Sequence, residues 1–364
     1  MSILKHKFPP DLKNIYDESL ANQLAQTQGA ITALNQLNHL LPNPNLLMRP
    51  ILGKEAESSA QLEGTQASLD DAYQIEIGEQ TSEKKNDALE IRNYEKAMLE
   101  TLELVRKHGL KEIIIRQAQK VLTKDARGKS KNPGEYRKGD VWIGDLGTMK
   151  EEARYIAPDA SHVPVMVGDL LEYLKTKDTT NPLIKCAIMH HRFEAVHPFE
   201  DGNGRTGRLL ITLYLINKGM LNMPILYPSG YFEKNKKQYI NNLSNVDENE
   251  DWKPWIMFFL RALETQANLA SKLGVEINEL FKSSREKIEK ERASLQLIRV
   301  FEYTFVKPYF TAPMISEDLK IHRVSCNRYL KTLEEKGLIE YVRKADNAHV
   351  YRNKNLLEIL RKVN

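Results

Sequence analysis

The sequence predicts an all-α protein that carries one small β-hairpin and closes with a unit of three short helices and a two-stranded wing. Three observations lead there. Apolar residues recur at helical spacing in successive stretches up to residue 296. The β-prone runs Val141-Trp142-Ile143 and Arg154-Tyr155-Ile156 are short and lie beside glycine or proline. Beyond residue 296 three short apolar-periodic runs precede two strand-like ones.

In order, residues 17–40 have leucines at 20, 24, 34, 37 and 40, which suits an amphipathic helix ended by Leu41-Pro42-Asn43-Pro44. A second helix begins near Pro50 and runs to Glu63, with Gly64 as its stop. Glu63 falls in the last turn, where the helix dipole disfavours an anion. A strong cation from elsewhere should therefore meet it, and Arg208 is the candidate. Residues 83–107 and 111–123 form two core helices separated by Gly109. A polar loop at 125–134 leads into the hairpin, and helices at Val163–Leu174 and Pro182–Val196 follow. Tyr231 to Leu243 reads as one helix with aromatic residues at 231 and 239, more in keeping with core packing than with a base platform. Asp251–Leu260 starts an apolar helix whose charged continuation to Gln296 reads as a solvated connector. Short helices at 297–305, 314–319 and 324–333 and strands at 337–343 and 350–352 complete the chain.

Composition sets bounds. At 364 residues, 41% hydrophobic and 28% charged, the chain is globular and long enough for two or three domains. No stretch approaches the roughly 20 apolar residues of a membrane span, and the first ten residues lack the apolar run of a secretion signal. A cytoplasmic location is the resulting expectation. Cys186 and Cys326 lie far apart, so reduced, buried thiols are expected. A net charge of +4 is too small to imply a nucleic-acid partner for the whole chain.

Residues 197–208, His-Pro-Phe-Glu-Asp-Gly-Asn-Gly-Arg-Thr-Gly-Arg, hold a base, an acid, a glycine turn and two cations within twelve positions. Gly202, Asn203 and Gly204 can turn backbone N–H groups inward at the start of the apolar helix 209–216, which makes an anion site. Arg205 and Arg208, three apart, share a helical face and suit phosphate oxygens. Asp201 is a hard oxygen ligand for Mg2+ beside that site. His197 can accept a proton near neutral pH, and Phe199 should anchor inward. Together these suggest deprotonation of a hydroxyl that attacks phosphorus. A dinucleotide-binding Gly-x-Gly-x-x-Gly reading would need a strand before the glycines and an acid about 20 residues on. Here a helix precedes them, and the stretch near Tyr227 has no acid. A zinc site from His190, His191 and His197 lacks a completing ligand pattern.

The run 197–208 resembles, at every defined position, the motif His-x-Phe-x-Asp/Glu-Gly-Asn-Gly-Arg-x-x-Arg of the Fic (filamentation induced by cAMP) family. That resemblance implies an all-helical Fic-type core, with ATP as co-substrate and Mg2+ as cofactor. It further implies transfer of AMP to a Ser, Thr or Tyr hydroxyl, with His197 as base and Asp201 as metal ligand. Gly202, Asn203 and Gly204 would cradle anion, Arg205 would bind phosphate, and Arg208 the terminal phosphate. Ser59-Ala-Gln-Leu-Glu63-Gly64 resembles the family's inhibitory-helix motif, which implies the class II subgroup. In that arrangement Glu63, with Ser59 on the same helix at about 50–64, would pair with Arg208 and block the terminal phosphate. The hairpin, residues 136–158, resembles the family's flap, which holds a target segment by strand addition. It would line the nucleotide site with Val141, Trp142, Ile143 and Gly144. Thr206, Gly207, Tyr239 and Ile240 join that site by the same resemblance, although many relatives have Tyr-Tyr where this chain has Tyr239-Ile240.

The implied organisation is an N-terminal helical region to 110, a catalytic core at 111–275, a connecting helix at 276–295 and a last domain at 296–364. The last domain resembles a winged helix-turn-helix. It holds 13 Lys/Arg against 8 Asp/Glu, a net of +5, and its third helical run, the recognition helix by that resemblance, carries His322, Arg323, Asn327, Arg328 and Lys331. Expected partners are ATP, an unidentified target protein, the chain itself as acceptor, and a second copy in a homodimer; no membrane is expected. A second reading makes the chain a nucleotide-sensing DNA-binding regulator acting through the winged helix.

Overall fold

The protein's structure, a computed structural model, describes residues 7–37, 43–78, 84–125, 132–143, 149, 152–290, 294–345 and 348–362. Its first elements are α1 (Glu18–Gln36), α2 (Asn45–Leu62), α3 (Leu69–Glu76), α4 (Lys85–His108) and α5 (Glu112–Leu122). An antiparallel pair follows, β1 (Trp142–Ile143) against β2 (Tyr155–Ile156), with Trp142 opposite Ile156. Then come α6 (Val163–Lys175), α7 (Pro182–Val196), α8 (Asn203–Asn217), α9 (Ser229–Lys234), α10 (Lys236–Asn249) and α11 (Trp252–Glu289). The remaining elements are α12 (Leu295–Val306), β3 (Tyr309–Thr311), α13 (Ala312–Leu319), α14 (Arg323–Glu335), β4 (Glu340–Ala345), β5 (Ala348–Arg352) and α15 (Lys354–Arg361).

Helix α1 starts where the Asp17 carboxylate accepts from the Leu20 N–H at 3.0 Å, and its apolar face lies along α11. Helix α2 begins at Asn45, five residues before the expected start, and carries Pro50 inside it. A proline there removes one helical bond, a loss of about 3 kcal/mol. Burial of Leu46, Leu47, Met48, Ile51 and Leu52, at about 1.5–3 kcal/mol each, more than offsets it. Helix α3, which the sequence reading omitted, is set by a capping box between Ser68 and Asp71. The single helix expected over 231–243 is two, because Asn235 leaves helical geometry at φ −113°, ψ 33°.

The expected solvated connector at 276–295 is instead the second half of α11, which runs unbroken for 38 residues. Its Leu273, Ile277, Phe281 and Ile288 form a buried stripe at helical spacing, while the charges occupy the opposite face. Phe281 stacks on Phe301 of α12 at 5.4 Å. The wing is a three-stranded antiparallel sheet in the order β3-β5-β4, one strand more than expected. Tyr309, Phe310 and Thr311 are all buried, and three residues after a proline gave too short a run to read as a strand. The C-terminal unit is packed onto the rest of the chain. Helix α12 lies against α2, α15 lies against α11, and Arg361 pairs with Asp70. Cys186 and Cys326 are free and buried. Among the described residues, no helix is long and apolar enough to cross a membrane.

Candidate active site

Helix α7 ends one residue before His197, whose backbone is left-handed at φ 48°, ψ 61° and whose N–H still donates to the Phe193 carbonyl at 3.0 Å. A residue other than glycine in that conformation is strained by about 1–3 kcal/mol and persists only where its surroundings fix it. Arg137 supplies the fixing. Its Nε donates to the His197 carbonyl at 2.8 Å, its guanidinium also reaches the carbonyls of Gly139, Pro158 and Val196, and its own N–H donates to Pro198 at 2.9 Å. The turn is closed on its other side by Asn203. That side chain accepts from the Phe199 N–H and donates to the Phe199 carbonyl, both at 2.8 Å, with the Phe199 ring fully buried.

Gly202 takes φ 76° at the head of α8, and a Cβ there would meet Thr123 Cγ2 at 2.9 Å. The first turn of α8 thus follows a glycine, and its leading N–H groups have no helical acceptor. Asp201 Oδ1 accepts from Gly202 N–H at 2.7 Å and lies 3.6 Å from Arg205, while burial raises the carboxyl above its ordinary range.

Arg208, buried, donates through Nε to Ser59 Oγ and through Nη2 to the Ser59 carbonyl, both at 2.9 Å, and through Nη2 to Glu63 Oε1 at 2.7 Å. Gly204 makes that approach sterically feasible: a Cβ there would stand 2.2 Å from Glu63 Oε1. Burial pushes the Glu63 carboxyl up, but Arg208, and then Arg205 and His197, outweigh it and hold it below its usual value. Its side chain remains 42% exposed, so water partly screens the pair. Burial pushes the His197 imidazole down to about 4 against a smaller opposing effect of its bond to the Glu194 carbonyl. That carbonyl lies 3.3 Å from Nδ1, which assigns the hydrogen to Nδ1 and leaves the Nε2 lone pair able to accept a proton.

Of these groups, Glu63, His197, Gly204 and Arg208 border a cavity of about 540 Å3. Leu62, Glu63 and Gly64 close one side, Trp142, Arg154 and Tyr155 of the hairpin another, and Glu194, His197, Gly204 and Arg208 form the floor. Helix α10 adds Lys236, Tyr239, Ile240 and Asp247. Tyr239 bonds through its hydroxyl to His190 Nε2 at 2.8 Å and stacks on Phe232 at 4.7 Å, so it is both aromatic core and cavity wall.

Ser59, Val141, Asp201, Gly202, Asn203, Arg205, Thr206 and Gly207 do not line the cavity. Thr206 bonds back to the Gly202 carbonyl at 2.7 Å, and Gly207 allows α7 to pass, since a Cβ would lie 2.2 Å from Glu194 Oε1. Gly144 and the Ile143 side chain lie outside the described residues. His190 and His191 are turned into the α10–α11 side, and no group of three metal-ligating side chains occurs among the described residues. The helix before the glycines rules out a dinucleotide-binding turn of the strand-first kind. On α14, His322, Arg323, Asn327, Arg328 and Lys331 are exposed, with Lys331 3.8 Å from Glu335.

Sequence reading missed several residues that shape the site. Arg137 falls within the expected hairpin at 136–158, where no motif singled it out. Glu194 sits one turn before His197, its carboxyl pushed up to about 7 by burial against the smaller, opposing pull of Arg208. Glu90 of α4 is buried 3.5 Å from Arg205 and accepts from the Thr65 hydroxyl. Its spacing on α4 matched core positions, and that was the only signal. Glu90→Ala would take from the buried Arg205 one of its two nearest carboxylates, the more buried of the pair. A loss of about 3 kcal/mol in urea unfolding is expected, with Glu90→Gln intermediate; a change under about 0.5 kcal/mol would show that Arg205 does not depend on Glu90.

Comparison with known proteins bears on the family and the fold. A family model described as Fic/DOC family N-terminal matches residues 21–103, and one described as Fic/DOC family matches residues 109–215. The probable protein adenylyltransferase of Aquifex aeolicus (strain VF5) is 29% identical over 197 residues, covering 54% of this chain and 55% of the relative. Protein adenylyltransferase Fic of Aedes aegypti is 25% identical over 138 residues, 37% of this chain and 24% of its own. The chain therefore spans between a quarter and about half the length of these curated relatives. Among solved structures, a Fic family protein from Desulfovibrio desulfuricans G20 superimposes with a TM-score of 0.57 at 23% identity, over 93% of this chain and 97% of that one. Fic-1 from C. elegans gives 0.54 at 20% identity, over 70% and 72%. Identities this low establish the shared fold.

Proposed function

We propose, from the premise that the chain belongs to the Fic/DOC family, that it is a protein adenylyltransferase held in check by its own helix α2. The observation that carries this reading is the single cavity in which His197, the head of α8 and Arg208 converge, with the Glu63 carboxylate seated on that arginine. ATP lies with its phosphates along the start of α8. The acceptor hydroxyl oxygen attacks the α-phosphorus and its proton passes to His197 Nε2. The bond from the α-phosphorus to the bridging oxygen breaks, and pyrophosphate leaves with the electron pair. Arg208 and the α8 N–H groups stabilise charge on the departing phosphates.

Asp201 immediately precedes the glycine that opens α8 and is 33% exposed on its side chain. One carboxylate suits Mg2+, which takes its other ligands from phosphate and water and would neutralise charge on the leaving pyrophosphate. The hairpin at 136–158 receives an extended target segment along its edge, and the target is a protein hydroxyl, including one on the chain itself. Residues 111–275 form the catalytic core, and residues 296–364 a winged-helix unit.

The test is mass spectrometry of Glu63→Gly protein incubated with Mg-ATP and cell lysate. Mass corresponding to AMP on a Ser, Thr or Tyr is expected; unmodified protein throughout would end the proposal. The pH profile offers a further check. With the imidazole of the free enzyme at about 4, His197 is already the neutral base at pH 5. The kcat/KM for labelling should thus show no acid limb from this group between pH 8 and 5 and should fall only near 4. Removing Glu63 deletes a neighbour that raises this value, so the limb moves no higher. A limb centred near 6.5 would point to a solvated imidazole.

A further inference from the structure

Lys236 is the first residue of α10, and its Nζ donates at 2.7 Å to the carbonyl of Leu62, the last residue of α2. The Glu63 N–H, Gly64 N–H and Thr65 N–H all turn back to Ala60 and Gln61, so the Leu62 carbonyl is left for an outside donor. A lysine there also sits at the negative end of the helix dipole. The same side chain lines the cavity together with Glu63, Gly204, Arg208 and His197. Leu62 and Glu63 are adjacent, so a backbone withdrawal of this turn that takes the Glu63 carboxylate off Arg208 also carries the Leu62 carbonyl away from Lys236. One displacement releases two cations into the same cavity.

We propose that Lys236 is a phosphate-binding residue with two alternating acceptors: the Leu62 carbonyl while Glu63 occupies Arg208, and the phosphate oxygens of a nucleotide once that turn withdraws. The proposal rests on the reading that the cavity takes a nucleoside triphosphate. An unbranched ammonium on a flexible four-carbon stem suits the role, since it can move between acceptors without rearrangement of α10. Arg208, wedged against Ser59, has no such freedom.

Calorimetric titration of Mg-ATP and of AMP into Glu63→Gly protein, with and without Lys236→Met, tests the proposal. Lys236→Met keeps the apolar stem and removes the charge. It should weaken ATP by about tenfold, as expected for one charge-assisted bond, and leave AMP unchanged. Lys236→Arg should restore most of the ATP affinity. In protein with Glu63 intact, Lys236→Met should also speed hydrogen exchange at the amides of residues 60–65. Equal ATP affinity with and without the lysine would reduce Lys236 to a helix cap and overturn the proposal while leaving the nucleotide reading in place. Equal weakening of ATP and AMP would point to a packing defect and overturn it too. No binding of either nucleotide to Glu63→Gly would defeat both.

Discussion

Glu63→Gly is expected to raise the rate of protein labelling from ATP by about thirtyfold. The magnitude comes from the charge that the carboxylate places where a terminal phosphate must go. Two like charges about 4 Å apart repel by about 4 kcal/mol at the effective dielectric of a protein edge. The 42% exposure of the Glu63 side chain screens that to about half, and about 2 kcal/mol is roughly thirtyfold. Fold stability is little affected, since the Glu63 side chain is 42% exposed and Arg208 keeps its two bonds to Ser59 when the carboxylate is gone. The measurement is incorporation of label from ATP carrying the label at its α-phosphate, in purified protein and in lysate. Equal labelling by Glu63→Gly and the parent protein would sink the idea that this pairing restrains the enzyme.

Removing the base has the larger effect in the opposite direction. In the Glu63→Gly background, replacing His197 should lower labelling by about 100- to 10,000-fold, the usual span for loss of a positioned general base. Asparagine is the better replacement, because it tolerates the left-handed backbone at φ 48° where alanine adds strain. Calorimetry should show Mg-ATP still binding to His197→Asn, which separates loss of chemistry from loss of the fold. Activity within tenfold of the background would mean that another group takes the hydroxyl proton.

Sequence alone exposed the chemistry better than the supports behind it. His197, Asp201 and Arg208 are legible because a base, an acid and cations crowd around glycines in one continuous run, and Glu63 because an anion at a helix C-terminus asks for a partner. Arg137, Glu90 and Lys236 were not legible. Each acts across the fold, on partners 60, 115 and 174 positions away, and no local spacing encodes such a meeting. In the fold, strongly periodic segments such as α4 and α7 were readable to within two residues. The start of α2 was not, since a proline looked like a beginning where burial carried the helix through it. The second half of α11 was misjudged because its many charges masked a stripe of one apolar residue per turn.

Apart from Asn45, Arg49 and Gln61, every residue of α2 is buried, pressed between α4, α8, α9 and α12. The restraint proposed for α2, built into the middle of a core, could not be lifted by undocking the helix: exposing that much apolar surface would unfold the molecule first. At its C-terminal end Gln61 is half-buried and Glu63 and Gly64 are exposed, so fraying that end over a few ångströms uncovers the least apolar surface. Substitutions early in α2, such as at Ile51 or Leu52, should therefore yield less soluble protein and no gain of activity. On the proposed reading, an activating signal needs to tug at a single loosened thread.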